Sequence, residues 1–246
     1  MKGKIAIVTG GGRGIGRATA LAFAGEGANV VIAARTQSEI EAVADEIKKL
    51  GQEALAVPTD IQYKSQVDTM VKQAYDRFGK VDILVNNGAV AIHNPIPQIR
   101  EEDWDWILDV NLKGTFLCTQ AVFSQMCEQG SGHIVNVASG AGKHGGAKFG
   151  SYAVSKFGVV GLTQVTDAEG FPHGVKATVV CPGAADTKQR SQNHDDDVTK
   201  LLQPEDVADL ILFVVTQPAR AHIADVSIIP QFMRQPSGSH NLKPGI

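Results

Sequence analysis

Ile5-Ala6-Ile7-Val8-Thr9-Gly10-Gly11-Gly12-Arg13-Gly14-Ile15-Gly16 is the stretch whose reading decides the fold. Its first four residues form a short apolar run of the kind a strand covered on both faces requires. A glycine-rich turn comes next, and an amphipathic helical stretch follows at once over 17–26. Strand, glycine turn and helix in that order leave the helix N-terminus facing the turn. Its unpaired N–H groups and positive dipole end attract an anion. Glycine lets the backbone turn tightly and, lacking a Cβ, lets a phosphate come close. Gly10, Gly14 and Gly16 stand at G-x-x-x-G-x-G spacing, which differs from the G-x-G-x-x-G fingerprint. A glycine cluster alone also serves as a plain structural turn. Its position between the first strand and the first helix points to dinucleotide binding.

The same grammar repeats outward from this point. Strand-sized apolar runs lie at 30–33, 53–57, 82–86, 133–138, 175–181 and 226–229, and helical stretches at 38–50, 65–78, 104–127, 152–168 and 204–215. This alternation predicts an α/β, Rossmann-type, doubly wound parallel sheet of seven strands flanked by helices. It reads as one domain over 1–230 with a Pro-, Gly- and Ser-rich tail over 231–246. The polar stretch 188–199, with Asp195-Asp196-Asp197, reads as a mobile loop.

Composition narrows the classes. The chain has 246 residues, 43% of them hydrophobic, and a net charge of −3 with both signs scattered, so no basic face suggests nucleic acid. No apolar run approaches the roughly 20 residues of a membrane span. Met1 to Ile5 leads directly into the first strand, leaving no room for a signal peptide. Cys118, Cys127 and Cys181 cannot all pair and lack metal-site spacing. A cytoplasmic protein with reduced thiols and no metal is expected.

Arg35 closes the second strand in Ala33-Ala34-Arg35. An NAD site usually places an acid in this region, on the ribose 2′-hydroxyl. Here an arginine stands instead, able to grip a 2′-phosphate, and Arg13 in the glycine loop adds a second cation. The expectation is NADP(H), against the alternative of two solvated surface arginines.

Tyr152 and Lys156 stand at Y-x-x-x-K spacing, which on a helix puts both on one face. A tyrosine near its ordinary pKa of about 10 is a poor acid–base group at neutral pH, and a nearby ammonium lowers that value. Ser139 follows the fifth strand at its carboxyl end, where such sheets bind ligands. Y-x-x-x-K alone is a common accident.

The combination is more specific. Thr9-Gly10-x-x-x-Gly14-x-Gly16, Asn86-Asn87-Gly88-Ala89, Asn111, Ser139, Tyr152-x-x-x-Lys156 and Pro182-Gly183 occur in that order. The chain resembles the short-chain dehydrogenase/reductase family over about 3–230, most closely the 3-oxoacyl-carrier-protein reductases and related carbonyl reductases. The resemblance implies direct hydride transfer between NADP(H) and a carbonyl or alcohol carbon. It implies that Tyr152 is the general acid or base, that Lys156 lowers its pKa and holds the nicotinamide ribose, and that Ser139 polarises the substrate oxygen. Asn111 would hold a water in a relay reaching Lys156. Gly10, Gly12, Arg13, Gly14, Ile15, Gly16, Arg35, Asp60, Ile61, Asn87, Gly88, Ala89, Pro182, Gly183 and Thr187 would line the cofactor with Tyr152 and Lys156. Asp60 matches an adenine-contacting acid, and Thr187 the residue at the carboxamide. A homo-oligomer, tetramer or dimer, is implied through the helices near 104–128 and 152–168.

Three departures stand out. Gly88-Ala89 reverses the usual Ala-Gly order. Ile228-Ile229-Pro230-Gln231 replaces the usual Asp-Gly-Gly after the last strand. Thr166-Asp167-Ala168-Glu169 puts polar residues where an apolar helix face is usual, which is expected to weaken a subunit interface. Substrate choice lies in the loops near 90–100, 140–150 and 187–203. Oxidation of a sugar, steroid or hydroxy acid and a non-catalytic NADP(H) sensor are the alternatives on the same fold.

Overall fold

Each apolar run becomes a strand, and each strand pairs in parallel with its neighbours. The computed structural model describes residues 1–192 and 196–233. Strands β1 (Ile5–Thr9), β2 (Asn29–Ala34), β3 (Ala54–Pro58), β4 (Ile83–Asn86), β5 (Gly132–Val137), β6 (Val175–Pro182) and β7 (Asp225–Ile228) form one sheet. Its order is β3-β2-β1-β4-β5-β6-β7, and the order reverses between β1 and β4. Ligands of doubly wound sheets sit at such a switch point, beyond the carboxyl ends of the strands.

Parallel neighbours need long crossovers, and helices provide them. They are α1 (Gly14–Gly25), α2 (Gln37–Lys49), α3 (Lys64–Phe78), α4 (Glu101–Leu108), α5 (Gly114–Gln129), α6 (Gly150–Gly170), α7 (Lys188–Ser191) and α8 (Pro204–Val215). Successive strand residues alternate between the two faces. Ala6, Val8, Val30 and Ile32 pack with Phe23, Ile40, Ile47 and Ile211 from α1, α2 and α8. Ile7, Val31 and Leu84 pack on the opposite face with Met70, Leu117, Val122 and Met126 from α3 and α5.

The structure corrects three expectations. The single helix over 104–127 begins earlier, at Glu101, and is interrupted by a π-helical turn at Asp109–Lys113 before α5. There Asn111 is buried and its side chain is held by Val90, while α5 runs hard against the preceding layer. A Cβ on Gly114 would stand only 2.8 Å from Ile61 Cγ1. The stretch 188–199 is not wholly loop: Thr187 Oγ1 accepts a hydrogen bond from Arg190 N–H and starts α7. A 3-10 turn follows over Val198–Lys200. Residue 195 of the acidic run lies outside the described residues.

The polar residues of α6 do not all face outward. Thr166 is buried and its hydroxyl donates to the Leu162 carbonyl. Asp167 turns back onto β6, accepting from Ala177 N–H at 2.9 Å. Of the expected tail, 231–233 form a 3-10 turn and 234–246 lie outside the described residues. Among the described residues no helix is long and apolar enough to cross a membrane, and no cluster of His, Cys, Asp and Glu could hold a metal ion.

Candidate active site

The carboxyl end of β1 opens into the glycine loop. Gly10 and Gly14 adopt φ of +63° and +52°, a region that side chains rarely enter. A Cβ on Gly16 would sit 2.3 Å from the Gly10 carbonyl oxygen, so the turn closes only around glycine. Asn87 Nδ2 donates to the carbonyls of Thr9 and Gly10 at 3.1 and 3.2 Å. Thr9 Oγ1 accepts from the N–H groups of Asn87 and Gly88. These bonds staple the glycine loop to the end of β4.

No side chain caps α1 and no acid lies in its first turn, so its N–H groups and dipole face outward for an anion. Ile15 lies within that first turn, its carbonyl accepting from Thr19 Oγ1. The Thr187 methyl would stand 3.4 Å from a Cβ on Gly14, so Thr187 overhangs the loop. An uncapped helix end behind a loop whose turn closes only around glycine fits a dinucleotide.

The remaining expected cofactor residues lie around this cleft. Ile61 packs over Gly88, with Cδ1 3.0 Å from where a Cβ would stand. Asp60 Oδ1 accepts from Gln62 N–H and Nε2–H, closing its own turn. Ala89 is half-buried beyond β4. Gly183 N–H donates to the Ile228 carbonyl at 2.7 Å. A Cβ on Gly183 would be 2.8 Å from Pro230 Cδ, so the unusual Pro230 seats directly on the Pro182-Gly183 turn. Arg35 is exposed just beyond β2, and Arg13 Nη1 lies 3.5 Å from Glu39 Oε1.

The fold brings Ser139, Tyr152 and Lys156 together. Ser139 ends the β5 crossover and its Oγ accepts from Ala141 N–H at 3.1 Å. Ser139 lies close enough to Tyr152 to act on its phenol. Lys156, one helical turn on, is buried, donates to the Val137 carbonyl at 2.9 Å and lies 5.8 Å from the Tyr152 ring centre.

Burial raises the Tyr152 pKa, against the lowering effects of the Ser139 hydrogen bond and the Arg190 charge. Burial pushes the Lys156 ammonium down to about 8. That ammonium is turned toward Val137, and Ser139 and Arg190 supply the lowering.

Asn111 is tied to both sides of the cleft. Its Oδ1 accepts from Val90 N–H at 2.8 Å, and its Nδ2 donates to the Val90 carbonyl and to Ser155 Oγ. Ser155 donates in turn to the Tyr152 carbonyl at 2.7 Å. Four residues beside the expected set escape sequence reasoning. Ser155 carries a weak signal, lying within the Y-x-x-x-K segment. His93 and Phe149 carry none, because each arrives from a loop, and Arg190 sits on the four-residue helix α7, too short to show a periodicity. The His93 ring lies 4.3 Å from Phe149 and 5.6 Å, edge-on, from Tyr152.

The sequence and the fold resemble those of known proteins. Residues 4–198 match the short chain dehydrogenase family model. A 3-oxoacyl-[acyl-carrier-protein] reductase of Synechocystis sp. is 37% identical over 227 residues, 89% of this chain and 92% of that protein. An uncharacterized oxidoreductase of Staphylococcus aureus is 36% identical, over 92% of this chain and 97% of that protein. The chain belongs to the short-chain dehydrogenase family. Among solved structures, a metagenomic short-chain oxidoreductase in complex with NADP superposes with a TM-score of 0.83 at 31% identity, over 93% of this chain and 97% of that one. Levodione reductase superposes with a TM-score of 0.87 at 27% identity, over 93% and 96%.

Proposed function

We propose that this protein is an NADP(H)-dependent oxidoreductase that interconverts a carbonyl and an alcohol by direct hydride transfer. The observation that carries the reading is the gathering of Ser139, Tyr152 and buried Lys156, its ammonium 5.8 Å from the Tyr152 ring centre, beside an uncapped glycine loop. Residues 1–230 act as one catalytic unit. The cofactor, when bound across the glycine loop and Thr187, supplies or takes up the hydride.

The side chains position the substrate and move the proton. Ser139 Oγ accepts from Ala141 N–H, which leaves its own proton for an oxygen acceptor. It holds and polarises the substrate carbonyl. Tyr152 Oη gives its proton to that oxygen as it becomes an alkoxide, and takes it back in oxidation. Lys156 supplies positive charge and donors beneath the tyrosine, and Asn111 with Ser155 holds the Tyr152 turn in register. Arg35 and Arg13 bind the 2′-phosphate. The NADP complex of the metagenomic relative supports this choice of cofactor.

The decisive experiment follows loss of NADPH absorbance with ketones, diketones and β-ketoacyl thioesters. Turnover of one class is expected; tight NADPH binding with silence across the panel would make the protein a sensor. Wild type should prefer NADPH to NADH in kcat/KM, and Arg35→Ala should reduce that preference about tenfold or more; a wild-type preference for NADH would overturn the assignment.

A homo-oligomer, dimer or tetramer, is proposed on a surface observation. Phe116, Val154, Phe157 and Val165 are exposed on α5 and α6. Beside them lies a groove of about 380 Å³ lined by Leu108, Leu112, Phe116 and Leu162. Sedimentation velocity checks this, and a monomer would refute it. The thiols of Cys118, Cys127 and Cys181 are free, which supports a reducing, cytoplasmic setting.

A further inference from the structure

The adenosine end of the cleft carries a carboxylate as well as two arginines. No acid stands at the end of β2, but the next helix delivers one. Glu39 lies in the first turn of α2 and is half-buried. Its Oε1 is 3.5 Å from Arg13 Nη1. A Cβ on Gly12 would stand 3.0 Å from Glu39 Cβ and 3.3 Å from Oε2, so this carboxylate rests directly on the glycine loop.

Neither partner is on a loose arm. The helix bearing Glu39 is anchored by buried Ile40, Val43, Ala44 and Ile47. Arg13 is the extended residue immediately before α1. Arg35 follows the end of β2, where the Ala33 carbonyl accepts from Gly11 N–H of the glycine loop. The corner therefore holds two cations and one anion, and one cation already has a partner.

We propose that Glu39 is a cofactor-selectivity residue: it pairs with Arg13 when the ribose carries a 2′-hydroxyl, and must yield Arg13 when it carries a 2′-phosphate. The proposal rests on the reading that the glycine loop binds a nicotinamide dinucleotide. A phosphate dianion and a carboxylate compete for one guanidinium and repel each other. A hydroxyl does neither, and donates to a carboxylate as it does to the acid of an NAD site. Glu39 therefore narrows the discrimination that Arg13 and Arg35 would otherwise set, and the wild-type site admits both cofactors.

The test is a binding titration without substrate, read by NADPH or NADH fluorescence. Competition by 2′,5′-ADP and by 5′-ADP isolates the adenosine corner. Glu39→Gln should tighten NADPH and 2′,5′-ADP about tenfold, while NADH and 5′-ADP stay within about threefold or weaken. Glu39→Asp, which draws the carboxylate back by one methylene, should fall between. Unchanged melting temperatures keep folding out of the comparison. An unaltered NADPH/NADH ratio in Glu39→Gln, or an equal shift for both cofactors, overturns the selectivity role while leaving the dinucleotide site intact. Failure of the wild type to bind either cofactor overturns the dinucleotide reading and this proposal together. A wild type that prefers NADH, with NADPH tightened in Glu39→Gln, overturns only the NADP(H) preference and supports the role of Glu39.

Discussion

At the carboxyl end of β5, Ser139, Tyr152 and Lys156 gather. At the other end of the same strand, roughly 16 Å further along α6 at 1.5 Å per residue, His133, Asp167 and His222 gather. Both clusters are polar, both join β5 to α6 or β6, and both contain a base whose pKa burial lowers. His133 is pushed down to about 4 and Lys156 to about 8.

The clusters differ in what their hydrogen bonds leave over. Thr178 donates its one proton to the Ile223 carbonyl at 2.6 Å, so His133 Nε2, 2.8 Å away, must be the donor in that contact. Asp167 accepts from Ala177 N–H and pairs with His222 at 3.0 Å. These bonds close on the chain itself. At the upper end the Val137 carbonyl takes one of three Lys156 donors. Polar groups satisfied within the fold hold it together, and polar groups with capacity to spare make a site.

The contrast breaks most visibly at Tyr152. Tyr152→Phe should lower kcat by about a thousandfold while the melting temperature and NADPH affinity hold. Retained kcat would erase the distinction between the two ends. The lower end is tested by acid. The folded-state pKa of His133 lies below its unfolded value of 6.5, so its contribution is fully present above pH 6.5 and is lost as pH falls toward 4. Urea unfolding across that window should show a loss of roughly 3 kcal/mol from this group, absent in His133→Asn, with kcat at neutral pH unchanged. An identical pH slope in wild type and variant would refute the assignment.

Between the two ends, Asn86 Nδ2 donates to Asn136 Oδ1, and Asn136 Nδ2 to Thr163 Oγ1, inside the sheet–helix packing. Thr163→Val leaves a buried amide proton without its acceptor and should cost about 1–3 kcal/mol in urea, with little change in KM. The smallest effect is expected at the rim. His222→Asn removes a partly exposed pair and should change stability by about 0–1 kcal/mol near pH 6; a larger loss would mean that the lower cluster acts as one unit.

What was legible in the chain is what local pattern encodes. The seven strands follow from apolar run length, the phosphate cleft from glycine spacing, and the meeting of Tyr152 with Lys156 from helical periodicity. The rest depends on directions that periodicity does not carry. Arg13 meets Glu39 only because of how the β2–α2 turn brings α2 against the glycine loop. Lys156 donates to the Val137 carbonyl, a partner that the Y-x-x-x-K spacing does not indicate. His93 and Phe149 reach Tyr152 from loops without repeat or cap, and His133, Asp167 and His222 come from three separate segments.

The π-helical turn at Asp109–Lys113 makes chain length a variable at this site. Such a turn is one residue inserted into an otherwise regular helix. Deleting one residue within it would let α4 and α5 join while keeping their present faces. A deletion anywhere in α5 would instead rotate every later side chain by about 100°. The first kind of deletion removes the Asn111 grip on Val90 and Ser155 while the later faces of α5 keep their direction. A lineage of this chain could thus lose the Asn111 contacts through a single missing codon and still inherit the fold.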